Sequence, residues 1–422
     1  MTSTTAMNKH NKILYLAPEI PALSATFVYN EICKLRELGY QVSVASVHAP
    51  IAKVDQETQQ KVGEVWLVYQ SNFASNLLAL LAVLATRPLH FVNSFAWLLK
   101  DIVSLGVFNR NALGLVYRYV AAAKLARHID KHNIVHSHVH FAHVPTDIAM
   151  YAACMSGTEF SVTSHANDIF QRGWLLKEKI QRSKFFVTIS EFNKAYLSNL
   201  APSLNNKIEV IYCGVDTSQF TFQAPQEKAL FTFGFLARLV EKKGLEYLIR
   251  ASEKLKNEQH VFKIEIVGDG PLSEPLKALT HQLGLQNHIS FLGQMPNKQV
   301  SSWLKTLNAF VLPSVKDSNG DMDGIPVSLM EAMASGIPVI STDLSGIKEL
   351  VMNKQTGLLA LPGNEQDLAD KMVELLSIGQ TTLNTLTQHA AAHVNQHFNQ
   401  LANAEKIGKL IVNHKEAPHG NN

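Results

Sequence analysis

From Ala309 to Val351 the chain reads AFVLPSVKDSNGDMDGIPVSLMEAMASGIPVISTDLSGIKELV. This one stretch constrains the fold more than any other. Ala309 to Leu312 is a short apolar run of strand length, followed by a polar loop. Helix entry is expected at Gly324-Ile325-Pro326, because proline fits a first helical turn where its missing N–H had no partner. Leu329, Met330, Met333 and Ala334 recur at helical spacing, and Gly336 supplies the stop. Ile337 to Ile340 then reads as the next strand of a parallel sheet, buried on both faces. Asp323 and Glu331 thus flank the start of a helix whose free amides face the strand ends.

A helix N-terminus presents unpaired N–H groups and a partial positive charge, which suits a phosphate or diphosphate. Glu331, one turn and a half further on, could accept hydrogen bonds from a sugar diol such as ribose, and Asp323 could touch a second sugar. As a solvated helix residue and a cap, the two carboxylates need no ligand. Spacing alone leaves both readings open.

The stretch resembles the donor-site signature of retaining glycosyltransferases of the GT-B fold, in family four. Asp323, Glu331, Ala332-Met333-Ala334, Gly336, Pro338-Val339-Ile340, Thr342, Gly346 and Glu349 fall on that pattern. Asp323 stands where the family usually has Glu, so its reach to the sugar is shorter. The resemblance implies an α/β chain of two facing doubly wound, Rossmann-like domains with a deep cleft between them. It further implies a nucleotide diphosphate sugar as donor.

The rest of the chain agrees. Its 422 residues suffice for two or three domains. Formal charge is only +3, which argues against nucleic acid as the main partner. Cys33, Cys154 and Cys213 are far apart and form no CxxC, so neither a disulfide framework nor a zinc ribbon is indicated. Together with a polar first dozen residues lacking a secretory core, this points to the cytoplasm. Ile13 to Ala17, an amphipathic helix ending at Gly39, and Val42 to Val47 make a βαβ unit. No G-x-G-x-x-G follows the first strand, so no dinucleotide cofactor is expected.

The segment containing LSATFVYNE resembles the acceptor-side loop of the branch that builds exopolysaccharides of the colanic-acid type. That resemblance makes Ser24 and Thr26 acceptor-side candidates, although both serve equally as helix caps. Residues 75 to 131 carry seven Lys/Arg against two Asp, among apolar and aromatic side chains. No run reaches the ~18 apolar residues of a spanning helix, so helices lying on an anionic membrane surface are expected. The alternative is helices packed on the core with a solvated basic face.

His136, His138 and His140 alternate along a strand, with His143 beyond. A metal is not expected there, since no Cys or carboxylate lies within the cluster. The resemblance instead puts His138 and His140 at a turn lining the cleft. In SVTSHANDIF it puts His165 beside the donor sugar, as a neutral hydrogen-bond donor, with Asp168 on the acceptor side.

Residues 1–215 are expected to form the acceptor-side domain, 216–228 a linker, 229–395 the nucleotide-sugar domain, and 396–422 a helix crossing back, with its tail. In FTFGFLARLVEKKG, Arg238 and Lys243 sit at a strand end, where two cations can neutralise a diphosphate leaving group in place of magnesium. Gly268 and Gly270 allow close backbone approach to a ligand. The resemblance therefore implies a metal-independent hexosyltransferase acting with retention on a lipid-linked surface polysaccharide. Arg238, Lys243, Gly324, Ile325 and Val327 would face the diphosphate, Glu331 the ribose, and Asp323 and His165 the transferred sugar. An epimerase or phosphorylase on the same fold, or a non-catalytic partner subunit, are the rival readings.

Overall fold

The computed structural model describes residues 11–22, 25–50, 56–70, 73–226 and 228–413. The chain forms two compact units. The first takes the residues up to Ile189, Asn193–Ile211 and the segment from Leu401; the second takes Ser190–Phe192 and Tyr212–Gln400.

The first unit is built on seven strands: β1 (Lys12–Glu19), β2 (Gln41–His48), β3 (Val65–Leu67), β4 (Ile134–His140), β5 (Glu159–Ser164), β6 (Phe186–Thr188) and β7 (Ile208–Val210). Their order is β3-β2-β1-β4-β5-β6-β7, and every pairing is parallel. Parallel neighbours need crossover connections, which is why helices separate the strands in sequence. Alternation along β1 feeds both faces: Leu14 and Leu16 pack with Leu115 and Tyr151, while Ile13 and Tyr15 pack with Val28 and Ile32. Helices Phe73–Thr86, Pro88–Leu105 and Arg110–Lys131 lie between β3 and β4. Among the described residues, no helix is long and apolar enough to cross a membrane.

The second unit repeats the plan with β8 (Phe231–Leu236), β9 (Phe262–Val267), β10 (Ile289–Gly293), β11 (Ala309–Val311), β12 (Val339–Thr342) and β13 (Leu358–Ala360). The order is β10-β9-β8-β11-β12-β13, again all parallel. The order turns back on itself at β8 and β11, the place where such sheets open a crevice at the strand ends.

Two boundaries differ from those expected at 215 and 395. Val215 and Phe220 are buried in the second unit's core, so the first part of the stretch expected as linker belongs to that unit's body. At the other end the second unit keeps residues through Gln400, because Val394 and Phe398 sit in its core. The helix Gln400–Asn413 then places Ala404, Ile407 and Ile411 among the first unit's buried residues, beside Ile13 and Tyr15.

Candidate active site

The second unit's site begins with glycines. A Cβ on Gly268, at φ 136°, would lie 1.9 Å from the Ala237 carbonyl oxygen; one on Gly270 would lie 2.4 Å from that of Leu239. The close approach these glycines permit is therefore to the turn that carries Arg238. That turn is pinned by Leu239 N–H donating to Asp269 O at 2.9 Å. Arg238 is exposed, and its guanidinium makes no ion pair among the described residues.

The same device works one turn later. Gly244, at φ 67°, lies so close to the Pro313 carbonyl that a Cβ would meet it at 1.9 Å. Val315 N–H donates to Lys242 O at 2.9 Å. The turn Glu241–Lys243 is thus clamped to the loop after β11, and Lys243 Nζ lies 2.8 Å from both oxygens of Asp323. Ser314 Oγ donates to Asp323 Oδ2 at 2.7 Å. Beside them, Lys242 pairs with Asp321 at 2.8 Å. Burial pushes the Asp323 carboxyl up, but the Lys243 and Lys242 ammoniums outweigh it and hold the group below the usual carboxylate range. An ammonium has three donors; two are spent on Asp323, and one is left for a ligand.

The helix that follows spans Val327–Ala334, not Gly324 onward. Pro326 has extended ψ (129°) and precedes the helix instead of opening its first turn; its carbonyl accepts Leu329 N–H at 3.2 Å. Gly324 O accepts from Ser345 Oγ at 3.1 Å, and Ile325 is buried in the core. No side chain caps the helix start. The carboxyl of Glu331, in the second turn, receives no hydrogen bond or ion pair among the described residues. Burial raises its carboxyl to about 8, so it is a neutral acid at pH 7.

In the first unit, His165 caps the short helix Ala166–Phe170. Asp168 Oδ1 accepts His165 N–H at 2.7 Å, and the other oxygen accepts Ala142 N–H. Burial raises the Asp168 carboxyl to about 7, and its two accepted N–H bonds tie the His165 loop to Ala142 from inside the protein. His138 is wholly buried within β4, with Ser161 Oγ 2.8 Å from Nδ1 and Thr163 Oγ1 2.9 Å from Nε2. It lies in the strand body, not at a turn. His140 ends the strand, 3.3 Å from His165 (Nδ1 to Nε2) and 3.2 Å from Glu31. Thr26 is the first residue of its helix, behind Ala25 at the cap position with no side-chain cap bond; Ser24 lies outside the described residues.

Sequence reading missed Ser314, the Lys242–Asp321 pair and Glu31. Only the adjacency of Lys242 to Lys243 and the end of the string TFVYNE hinted at them. Glu31, His138 and His140 each bring one ligand-type atom within 4.8 Å of the others. All three also hold hydrogen bonds to protein groups.

Residues 216–392 match the family Glycosyl transferases group 1, and residues 24–219 match Glycosyltransferase Family 4. The chain belongs to the group 1 GT-B glycosyltransferases. Within that family this glycosyltransferase is 29% identical over 413 residues to a Salmonella typhimurium protein named for colanic acid biosynthesis, WcaL, covering 95% of this chain and 99% of that one. It is 37% identical over 176 residues to the amylovoran biosynthesis glycosyltransferase AmsK of Erwinia amylovora, covering 42% and 43% of the two chains. The fold matches that of HepE from Anabaena, solved in complex with UDP, at a TM-score of 0.70 and 16% identity, covering 95% of this chain and 99% of HepE. These relatives place the enzyme in the exopolysaccharide branch of the family.

Proposed function

We propose that this enzyme transfers a hexose, with retention of configuration, from a nucleotide diphosphate sugar to a lipid-linked surface polysaccharide. The observation that carries the donor assignment is the Lys243–Asp323–Ser314 cluster beside an uncapped helix start. Lys243 is aimed by Asp323 and keeps one N–H for a phosphate oxygen. Exposed Arg238 adds a second cation, and the free amides at the start of the helix Val327–Ala334 a third positive end. Held this way, the leaving diphosphate needs no metal ion. Gly268 and Gly270 contribute by seating the Arg238 turn. Glu331 takes the ribose diol: as a neutral acid it can both donate and accept. The family resemblance assigns Asp323 and His165 to the transferred sugar, and a donor phosphate oxygen takes the acceptor's proton. The same resemblance assigns the acceptor to the first unit, where Thr26, His138, His140 and Asp168 are its candidates among the described residues. The UDP bound by HepE supports a nucleotide donor of this class.

The enzyme works at the inner face of an anionic membrane. Helices Phe73–Thr86, Pro88–Leu105 and Arg110–Lys131 expose Leu78, Leu89, Val92, Leu99 and Val103, and the turn between the last two helices exposes Phe108, which is 99% exposed. On the middle helix, positions 89, 92, 99 and 103 share one face. Between Glu64 and Asp130 the sole acidic residue is Asp101, and it is wholly buried, clamped by Arg182 at 2.6 and 2.8 Å and by the Tyr151 hydroxyl at 2.7 Å. The outward surface of these helices is therefore apolar and cationic, which complements anionic headgroups over an acyl layer.

A thermal shift with UDP, GDP and ADP in EDTA tests the donor site. One nucleotide should raise the melting temperature, by about 2.7 kcal/mol of added stability at a hundredfold excess over Kd. No shift with any of them refutes the donor site, and a product of inverted anomeric configuration refutes retention.

A further inference from the structure

Glu31 lies outside everything assigned above, yet the first unit surrounds it with partners. Its Oε1 accepts the Tyr15 hydroxyl at 2.8 Å and lies 3.2 Å from His140 Nε2. The opposite nitrogen of His140, Nδ1, lies 3.3 Å from His165 Nε2. His165 and Asp168 form a capping box, in which the His165 ring accepts the Asp168 backbone N–H. All of these groups but Glu31 are buried, and Glu31 itself keeps 17% of its side-chain surface. Phe27 and Phe141 pack on the His165 ring, with centroids 4.7 and 4.6 Å away.

We infer that Glu31 is a positioning residue, whose carboxylate fixes the tautomers of His140 and His165 through one directional chain of hydrogen bonds. The reading rests on the proposed role of His165 at the donor sugar. Both ends of the chain set its direction. At one end a backbone N–H can only donate, so the His165 nitrogen facing Asp168 must carry a lone pair. A neutral ring then carries its hydrogen on Nε2, and that N–H points to His140 Nδ1. His140 must accept there, so its own hydrogen sits on Nε2 and is donated to Glu31. At the other end an ionised carboxylate can only accept. Tyr15, kept protonated by burial, supplies the second donor to Glu31. The polar hydrogen thus kept on His165 Nε2 is the one a neutral histidine needs in order to donate to a sugar hydroxyl.

Glutamine at position 31 removes this constraint, because its amide can donate to His140 Nε2 as readily as its oxygen can accept. His140 would then place a hydrogen on Nδ1, facing the His165 N–H across 3.3 Å. The experiment is nitrogen-15 NMR of the full chain labelled at histidine, with His140 and His165 assigned by single substitutions. Wild-type protein should show both rings with hydrogen on Nε2, and Glu31→Gln should mix the tautomers while leaving the fold intact. Glu31→Asp, still ionic, should restore them at least in part. In parallel, nucleotide release with water as acceptor is followed with UDP-glucose, GDP-mannose or ADP-glucose, as the nucleotide screen selects. Glu31→Gln should lower kcat about tenfold or more with KM little changed. That loss stays below the ~10⁴ found when a carboxylate touching a catalytic base is neutralised. Wild-type His165 with hydrogen on Nδ1 overturns the chain, whether or not the variant folds. Mixed tautomers with unchanged kcat overturn its catalytic role. Full turnover in His165→Ala separately refutes His165 at the sugar.

Discussion

Asp323 and Glu331 sit eight positions apart in the second unit, Asp101 lies in the first unit's helical layer, and the three bury a carboxylate in three ways. Asp101 is enclosed and fully paired, by a bidentate Arg182 and by Tyr151. Asp323 is enclosed, but its partner Lys243 keeps donor capacity to spare. Glu331 is part-buried, its carboxyl has no partner among the described residues, and burial raises that carboxyl to about 8. A paired buried charge that faces only protein serves the fold. A pair with an unused donor, or a lone acid at an uncapped helix, is equipped for a ligand.

Removing partners should separate these cases. Asp101→Ala leaves Arg182 buried without its counter-charge and should cost about 3–5 kcal/mol in denaturant unfolding. Nucleotide affinity in the folded fraction should not change; a matching loss of affinity would merge the two classes of site. Lys243→Ala should cost about 1.5–3 kcal/mol of nucleotide binding, roughly ten- to hundredfold in Kd by calorimetry. An unchanged Kd would leave the Lys243–Asp323 pair as structural as Asp101. A smaller effect is expected at the apolar surface proposed to meet the membrane. Val103→Glu or Phe108→Glu should weaken sedimentation with phosphatidylglycerol vesicles by roughly tenfold, an estimate of about 1 kcal/mol or slightly more. Because both positions are exposed, the melting temperature should hold. Equal vesicle binding by the variants removes lipid as the partner of that face.

The last expected effect is a pH slope. The folded protein holds a proton on Glu331 up to about pH 8, while the unfolded chain releases it near the ordinary glutamate range. Folded protein thus binds more protons in that window, so the Glu331 contribution to stability is greatest below it and declines as pH rises toward 8. Glu331→Gln should flatten this decline, and the melting temperatures of wild type and variant should diverge most above pH 8. Parallel pH curves would mean that Glu331 is already ionised.

Much of this was legible in the chain. Short apolar runs separated by helical periods gave two parallel sheets, and the spacing from Asp323 to Glu331 placed a loop and helix start between two strands. The glycines were legible as positions of close approach, but what they approach was not. Gly268 and Gly270 meet the Arg238 turn, and Gly244 meets Pro313 O, because residues distant in sequence are brought into backbone contact. Pro326 misled by one step: its fixed φ suits both a first turn and the position before it, and the extended ψ of the structure selects the latter.

By itself the sequence determined the strand and helix periods, the family, and which side chains carry charge, since these depend on local order and composition. Only the tertiary structure decided which charges meet. Lys243 finds Asp323 across 80 positions, and His140 finds Glu31 across 109. Those meetings, and the burial that goes with them, set whether a carboxylate is ionised, neutral or spent. The physical reason is that desolvation and pairing are properties of a place in the folded molecule, not of a place in the chain.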